Sequence, residues 1–385
     1  QSQNLEKHLE KVGFLLDTNK AYYCDCSTDR LQQLREEQKK NGLKPKYDGK
    51  CRELNLRSSS NHVVRFKNPK SGVVVFEDIV RGGIEVANEE LDDLILVRRN
   101  GSPTYNLSVV VDDINMGITH VIRGDDHINN TPRQINIFEA LSADIPKYGH
   151  VPMILGKDGK RMSKRHGAVS VFEYKDMGVL SEALLNYLVR LGWSSGDQEF
   201  FSMGELLEKF KEGKMNSSPA SFSINKLLWY NKEYISRLDN KSLITKLSDY
   251  ASNFQDDLKS PEILDLIKDR CSLLTDFKEN SGYFFEDFDE IDTSLTSKVF
   301  NKEGIEILQI LVDELVKIKD WNAEKIHSAI EVVMSTYNVS LGHIGKPFRL
   351  SITGKMNSPS IDKTAAVLGK EKVIFRIKQA IKDFS

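Results

Sequence analysis

A dominant charge of one sign is missing from this chain: 54 basic residues against 56 acidic ones leave a net charge of −2. Any nucleic-acid surface must therefore be a local patch and cannot rest on a global basic field. Cysteine is scarce as well. Four in 385 residues, Cys24, Cys26, Cys51 and Cys271, make no disulfide framework in a chain of this size, so metal binding or plain burial is the use to expect. No apolar run reaches the roughly 20 residues that cross a bilayer, which leaves no candidate membrane helix. Residues 1–10 are polar and charged and lack the apolar stretch of a secretion signal, so a cytoplasmic protein is the default. Repeats and low-complexity tracts are absent. With 39% hydrophobic and 29% charged residues the composition is that of an ordinary globular protein, long enough for two or three domains.

What is present in quantity is local positive charge. In Lys160-Arg161-Met162-Ser163-Lys164-Arg165-His166 five of the seven side chains can carry it, and Gly156, Gly159 and Gly167 frame the run. Flanking glycines argue for a mobile loop. A flexible cationic loop suits a reaction in which negative charge builds on a transferring phosphoryl group and is met only at the transition state, with Lys164 as the principal candidate. A solvated basic surface run is the alternative. Context favours the loop, because the apolar segment Val151-Pro152-Met153-Ile154-Leu155 leads into it and a helical pattern over residues 181–191 follows. Ligand chemistry in α/β sheets sits at that kind of strand end.

The rest of the chain divides by pattern. Leu5, Leu9, Val12, Leu15 and Leu16 recur at helical spacing, Ala21-Tyr22-Tyr23 reads as a short strand, and residues 31–50 form a basic helix and loop. Residues 63–80 are rich in β-branched side chains and end at the turn Arg81-Gly82-Gly83. Val109-Val110-Val111 and residues 118–123 look like strands, and Thr131-Pro132 predicts a helix start with Thr131 as N-cap. Strand, helix, strand, basic loop and helix is the layout of a half-Rossmann unit. Beyond residue 220, long stretches such as 305–318 and 323–334 carry helical periodicity, which predicts a helical bundle.

Taken in order, these segments resemble a bacterial-type glutamyl-tRNA synthetase, a class I aminoacyl-tRNA synthetase, along nearly the whole chain. The likeness is carried by Lys20-Ala21-Tyr22-Tyr23-Cys24, Tyr47-Asp48-Gly49-Lys50-Cys51-Arg52, Pro103-Thr104-Tyr105-Asn106, Val110-Val111-Asp112-Asp113, residues 117–124, Thr131-Pro132-Arg133-Gln134, the basic loop, Thr353-Gly354, Ser358-Pro359 and Leu368-Gly369-Lys370-Glu371. The fold it implies is α/β plus all-α: a partial Rossmann-type catalytic domain with an α+β insert, then a helical anticodon-binding bundle. Residues 1–20 would be the end of the first Rossmann half and 21–102 the insert around the tRNA acceptor end. Residues 103–167 would be the second Rossmann half, 168–240 a stem-contact region and 241–385 the anticodon-binding domain. The family's His-Ile-Gly-His-type ATP signature and its glutamate-pairing arginine have no counterpart before this second half. We therefore expect a fragment that activates glutamate poorly by itself, and read His343-Ile344-Gly345 as coincidence.

The resemblance also implies site residues. Lys164 and Arg161 would be catalytic, with Arg161 standing where the family usually has lysine, and Asp126, Ile154, Ser163 and Lys164 would bind ATP, accompanied by Mg²⁺. Tyr105 and Arg123 would hold glutamate, whereas Val109, at a position that can be asparagine, cannot bond it. Asp125 has helix capping as an equal alternative, and His127 can pack beneath the nucleotide. Cys24, Cys26 and Cys51 with Tyr47 would form a structural zinc site, against the alternative of three small buried thiols. Arg270, Arg349, Ser358, Pro359 and Ile361 would read the anticodon, while Trp229, within a segment like the one that meets the tRNA inner corner, is expected in the core. The partners implied are tRNA(Glu), and tRNA(Gln) as a second candidate, with the protein a monomer away from membranes. A tRNA-binding module without activity, and a truncated paralogue that glutamylates a modified tRNA base, are the competing readings.

Overall fold

In the computed structural model, which describes residues 2–59, 61–162, 170–210, 215–250, 260–286 and 293–385, the chain divides into two units. One comprises Gln1–His166 and Val189–Phe222, the other Gly167–Leu188 and Ser223–Ser385.

The first unit begins with helix α1 (Leu5–Asp17), which buries His8, Val12 and Leu15 at successive helical spacings. Strand β1 (Ala21–Cys24) follows, and then α2 (Thr28–Lys40), whose N-terminus is capped by the Ser27 hydroxyl and which buries no side chain. Most of its charged residues face solvent, while Arg30 turns to Cys26 and Asp48. Strands β2 (Val63–Phe66), β3 (Val73–Asp78), β4 (Gly82–Ala87) and β5 (Ile95–Val97) come next. Along β3 buried and exposed residues alternate strictly, as a sheet with one covered face requires. Helix α3 (Tyr105–Met116), strand β6 (His120–Gly124), a 3₁₀ turn at Asp125–Asn130, helix α4 (Thr131–Ala140) and strand β7 (Lys147–Val151) complete the sheet region.

Two sheets result. β1, β2 and β5 make an antiparallel sheet in the order β1-β2-β5. The other has the order β4-β3-β7-β6, with β3, β7 and β6 parallel and β4 antiparallel beside β3. Register sets Asp78 opposite Tyr148 and Arg123 opposite His150, so the end of β3 lies beside the pairing between β6 and β7. Helix α4 is the crossover between β6 and β7.

Two local expectations give way here. Val109-Val110-Val111 lies inside α3 and not in a strand: Leu107, Ser108, Val110 and Val111 are all buried, a helical spacing whose packing overrides the strand preference of three β-branched residues. Gly117, at φ 63°, ends that helix in the left-handed conformation. Thr131 is no N-cap. It is helical itself, follows the 3₁₀ turn directly, and spends its hydroxyl on Arg123 and His150.

Helices α5 (Val171–Asp176), α6 (Ser181–Gly192) and α7 (Met203–Phe210) follow. The second unit continues as α8 (Ile224–Arg237), α9 (Asn240–Tyr250), α10 (Pro261–Ile267), α11 (Asp276–Phe285), α12 (Thr293–Val299), α13 (Lys302–Val316), α14 (Ala323–Tyr337), α15 (Leu341–Thr353), α16 (Ile361–Leu368) and α17 (Lys370–Phe384). One apolar cluster runs through it, with Leu308 and Leu311 of α13, Ile330 of α14, Phe348 of α15, Ala365 of α16 and Ile377 of α17 fully or nearly buried. The bundle expected from periodicity is present. His343-Ile344-Gly345 is part of α15, with Ile344 buried in that core and His343 hydrogen-bonded to Ser340, as a structural helix segment and no nucleotide signature.

Trp229 departs from expectation. It is 42% exposed, because α8 turns Leu227, Tyr230, Asn231 and Ile235 inward and leaves position 229 to one side. Its ring meets Tyr230 edge-on and carries the Lys226 ammonium over its face at 5.4 Å. Asn231, fully buried, accepts from the Leu180 amide and donates to the carbonyls of Gly178 and Ser272, which makes it a structural tie. No described helix is long and apolar enough to cross a membrane.

Candidate active site

Arg123 lies near the end of β6, one residue before the strand gives way to the 3₁₀ turn. Three neighbours fix its guanidinium. Nε donates to His150 Nε2 at 3.2 Å, and Nη2 donates to Thr131 Oγ1 and Gln134 Oε1, both at 2.8 Å. Its carbon sits 5.5 Å from the centre of the Tyr148 ring. Gln134 is itself held, donating to Asn106 Oδ1 at 3.0 Å. Nη1 has no hydrogen-bond partner among the described residues. A planar cation pinned along one edge and open at the other is the arrangement that a carboxylate ligand needs. Beside it, burial holds the Asp113 carboxyl above the usual carboxylate range against the pull of Arg123.

The other predicted residues of this region gather at the same strand ends. Tyr105 opens α3, stays partly exposed and packs its ring against His127 at 5.6 Å. Asp125 pairs with Arg81 at 2.6 Å, and Asp126 pairs with Arg161 at 3.2 Å. Asp125 is thus engaged with the β3–β4 turn. Gly124 allows the Asp126 side chain to fold back, since a Cβ there would lie 2.7 Å from Asp126 Oδ1. Val109 packs half-buried against the core formed by α1, α3 and α4, and offers the site nothing polar.

After β7 the chain forms a small hairpin. Met162 N donates to the Ile154 carbonyl at 2.9 Å, Gly156 N to the Lys160 carbonyl at 2.8 Å, and Gly159 takes φ +72° at the turn. The leading part of the basic segment is therefore ordered, where the glycines alone suggest a mobile loop throughout. This hairpin brings Arg161 to Asp126 and leaves Ile154 partly exposed. Ser163 and Lys164 lie outside the described residues.

Asp78, His150 and Gln134 carry no role in the sequence reading. Gln134 belongs to a quoted likeness segment. Asp78 closes a β-branched run just before a turn, and His150 stands one residue before the apolar strand end. A polar side chain at the carboxyl end of a predicted buried strand is the signal that could have found them.

A second cluster lies between β1 and the loop after α2. The sulfurs of Cys24, Cys26 and Cys51 are mutually within 4.8 Å and buried. Tyr47 Oη is 3.4 Å from Cys24 and 3.6 Å from Cys26, and Cys26 and Cys51 are 3.4 Å apart. Tetrahedral zinc with thiolates at ~2.3 Å places its ligands about 3.7 Å from one another, so three sulfurs and a phenol oxygen fit that ion. Burial raises the thiol of Cys51 to about 12, whereas at Cys24 hydrogen bonds from Tyr47 and Arg65 overcome burial and hold the thiol below its usual value. Burial and the thiol contacts push the Tyr47 phenol up. Arg65 stacks 3.8 Å over the Tyr47 ring, and Arg30 donates to Cys26, so cations surround the cluster.

In the helical unit the five residues expected to meet the anticodon gather in one place. Arg349 donates to the Ser358 hydroxyl at 2.8 Å and to the Pro359 carbonyl at 2.9 Å. Arg270 reaches the neighbouring Asn357 at 2.9 Å. Ser358, Pro359 and Ile361 are buried, so Arg349 shapes this turn while Arg270 stands at its rim. Burial, and then the Arg270 charge, lower the pKa of Arg349. Two close guanidiniums form a local positive patch on a nearly neutral protein. Replacing Arg270 with alanine is expected to weaken tRNA affinity about tenfold, checked by filter binding, with unchanged helical circular dichroism.

Comparison with known proteins places the chain in a family. The family model described as tRNA synthetases class I (E and Q), catalytic domain, matches residues 1–229, and that of an anticodon binding domain matches residues 230–381. A solved glutamate tRNA ligase from Elizabethkingia meningosepticum CCUG26117, in complex with its amino acid, superposes with a TM-score of 0.85 at 27% identity, over 100% of this chain and 84% of that one. A glutamate-tRNA synthetase from Elizabethkingia anophelis gives 0.80 at 27% identity, over 99% and 83%. With more than half of its residues matched by the catalytic-domain model, the chain belongs to the class I tRNA synthetases of the E and Q group.

Proposed function

We propose that this protein ligates L-glutamate to tRNA(Glu) at the expense of ATP, in the cytoplasm and as a monomer. The observation that carries the reading is Arg123, pinned by His150, Thr131 and Gln134 with Nη1 without a partner among the described residues, at the carboxyl end of a parallel strand, while Tyr105 packs on the neighbouring His127. Relatives of the same architecture are glutamate-tRNA ligases, which supports glutamate as the carboxylate. An anticodon binding domain over residues 230–381 argues against the paralogue that modifies a tRNA base.

In the first step a glutamate carboxylate oxygen attacks the α-phosphorus of ATP, the bond to the β-phosphate oxygen breaks, and pyrophosphate leaves. Mg²⁺ accompanies ATP and shields its phosphate charge. Arg123 and Tyr105 hold the amino acid, Asp126 and Ile154 meet the nucleotide, and Arg161 with Ser163 and Lys164 answers the charge of the transition state. In the second step the terminal ribose hydroxyl of tRNA attacks the glutamyl carbonyl carbon and AMP departs. Catalysis is positioning and charge stabilisation throughout.

Radiolabelled glutamate, incubated with ATP, tRNA(Glu) and the full gene product, is expected to become acid-precipitable, and aspartate is not. Failure of glutamate to charge any tRNA would remove the proposal. A parallel reaction with tRNA(Gln) decides whether that tRNA is also a substrate.

Cys24, Cys26, Tyr47 and Cys51 would hold a single structural zinc that staples β1 to the following loop and so shapes the insert, where the solvent-facing lysines of α2 offer phosphate contacts. Metal analysis is expected to return about one zinc per chain, and Cys51→Ser to lose it with a lower melting temperature. A metal-free native protein would leave the three thiols as buried packing groups.

A further inference from the structure

The carboxylate of Asp78 and the ring of His150 are both fully buried, and nothing so far says what the carboxylate does for the ring that holds Arg123. Asp78 ends β3, His150 lies near the end of β7 and Arg123 near the end of β6, so one polar row crosses three adjacent parallel strands. Asp78 Oδ2 is 2.6 Å from His150 Nδ1. Asp78 Oδ1 accepts the backbone amides of Val80, Arg81 and His150 at 2.9, 2.9 and 3.1 Å.

Hydrogen bonding along this row has a direction. A carboxylate can only accept, so Nδ1 of His150 carries the proton. Nε2 then presents its lone pair to the Nε–H of Arg123 at 3.2 Å and to the hydroxyl of Thr131, which is 3.0 Å away and itself accepts from Arg123 Nη2. The opposite tautomer would set an N–H of the ring against an N–H of the guanidinium. Tyr148, stacked at 6° to the His150 ring, fills the space alongside.

We infer that Asp78 and His150 are positioning residues for the amino-acid substrate: Asp78 fixes the His150 tautomer, and His150 orients Arg123 so that Nη1 faces the ligand. The inference rests on the reading of Arg123 as the glutamate-binding arginine. Burial alone would push the Asp78 carboxyl up, but the bonds from His150 and the three backbone amides outweigh it and hold it below the usual carboxylate range, so the group stays an acceptor at neutral pH.

Substitution can reverse the row without emptying it. In Asp78→Asn the amide oxygen can still accept the three backbone amides, while the NH₂ now faces Nδ1 and can only donate. The ring must then carry its proton on Nε2, opposite Arg123. In pyrophosphate exchange with tRNA present, the full gene product bearing Asp78→Asn is expected to show a KM for glutamate raised about 10- to 100-fold, with the KM for ATP within about twofold. His150→Gln, whose amide oxygen reaches the Nε2 position, is expected to be milder than His150→Asn, which keeps only the contact with Asp78. The ¹⁵N resonances of His150 in the unmutated protein are expected to report a protonated Nδ1, a readout independent of whether any variant folds. A protonated Nε2 in that spectrum overturns the inference. So does an Asp78→Asn enzyme of native melting temperature and unchanged glutamate KM when Arg123→Ala raises that KM. If Arg123→Ala itself leaves the KM unchanged, the glutamate reading of Arg123 falls, and the inference with it.

Discussion

Arg123→Ala in the full gene product lowers kcat/KM for glutamate by about 100- to 1000-fold and leaves the KM for ATP nearly unchanged. The magnitude follows from the charge-assisted hydrogen bonds that the two N–H groups of Nη1 can make to the substrate, worth about 3–4 kcal/mol together, at 1.4 kcal/mol per factor of ten. Lysine restores little. Its ammonium keeps the charge but cannot donate together to His150, Thr131 and Gln134 and still offer an edge to the ligand. Glutamate titrations of pyrophosphate exchange measure this directly, and a kcat/KM within threefold of the parent enzyme would exclude Arg123 from the amino-acid site.

Lys164→Ala has the second large effect, a fall of about 100- to 1000-fold in the rate of adenylate formation with tRNA affinity unchanged within about twofold. Lys164 lies three residues beyond Arg161, which the hairpin over residues 154–162 brings to Asp126. The charge matters at the transition state, where three oxygens of a loosened phosphoryl group share it. Single-turnover exchange separates this step from binding. An unchanged rate would turn the basic run into a solvated surface segment.

Much of the architecture was legible because packing and local preference agree. Helix α1 and the bundle helices announce themselves through apolar spacing, β3 through its β-branched run before a turn, and the basic segment through its glycines and strand-like leader. Legibility failed where tertiary burial won, as at Val109-Val110-Val111, which pack as a helix face between neighbours far away in sequence. Trp229 misled for a related reason: residue type suggests the core, whereas the face on which α8 carries it decides. In the site, Tyr105 and Arg123 could be named from quoted motifs, Asp126 from the acidic pair that follows them, and Arg161 from the basic run. The Asp78–His150 row could not. Those residues are 72 apart in sequence and become neighbours only through the parallel pairing of β3 with β7.

The seat of the amino acid is the claim on which the rest depends. A crystal structure of the full gene product with a non-hydrolysable glutamyl-adenylate analogue tests it most directly. The predicted result is a glutamyl oxygen about 3 Å from Arg123 Nη1, with Tyr105 alongside and Asp126 on the nucleoside side. An analogue bound elsewhere, with Nη1 turned to solvent, would contradict the account.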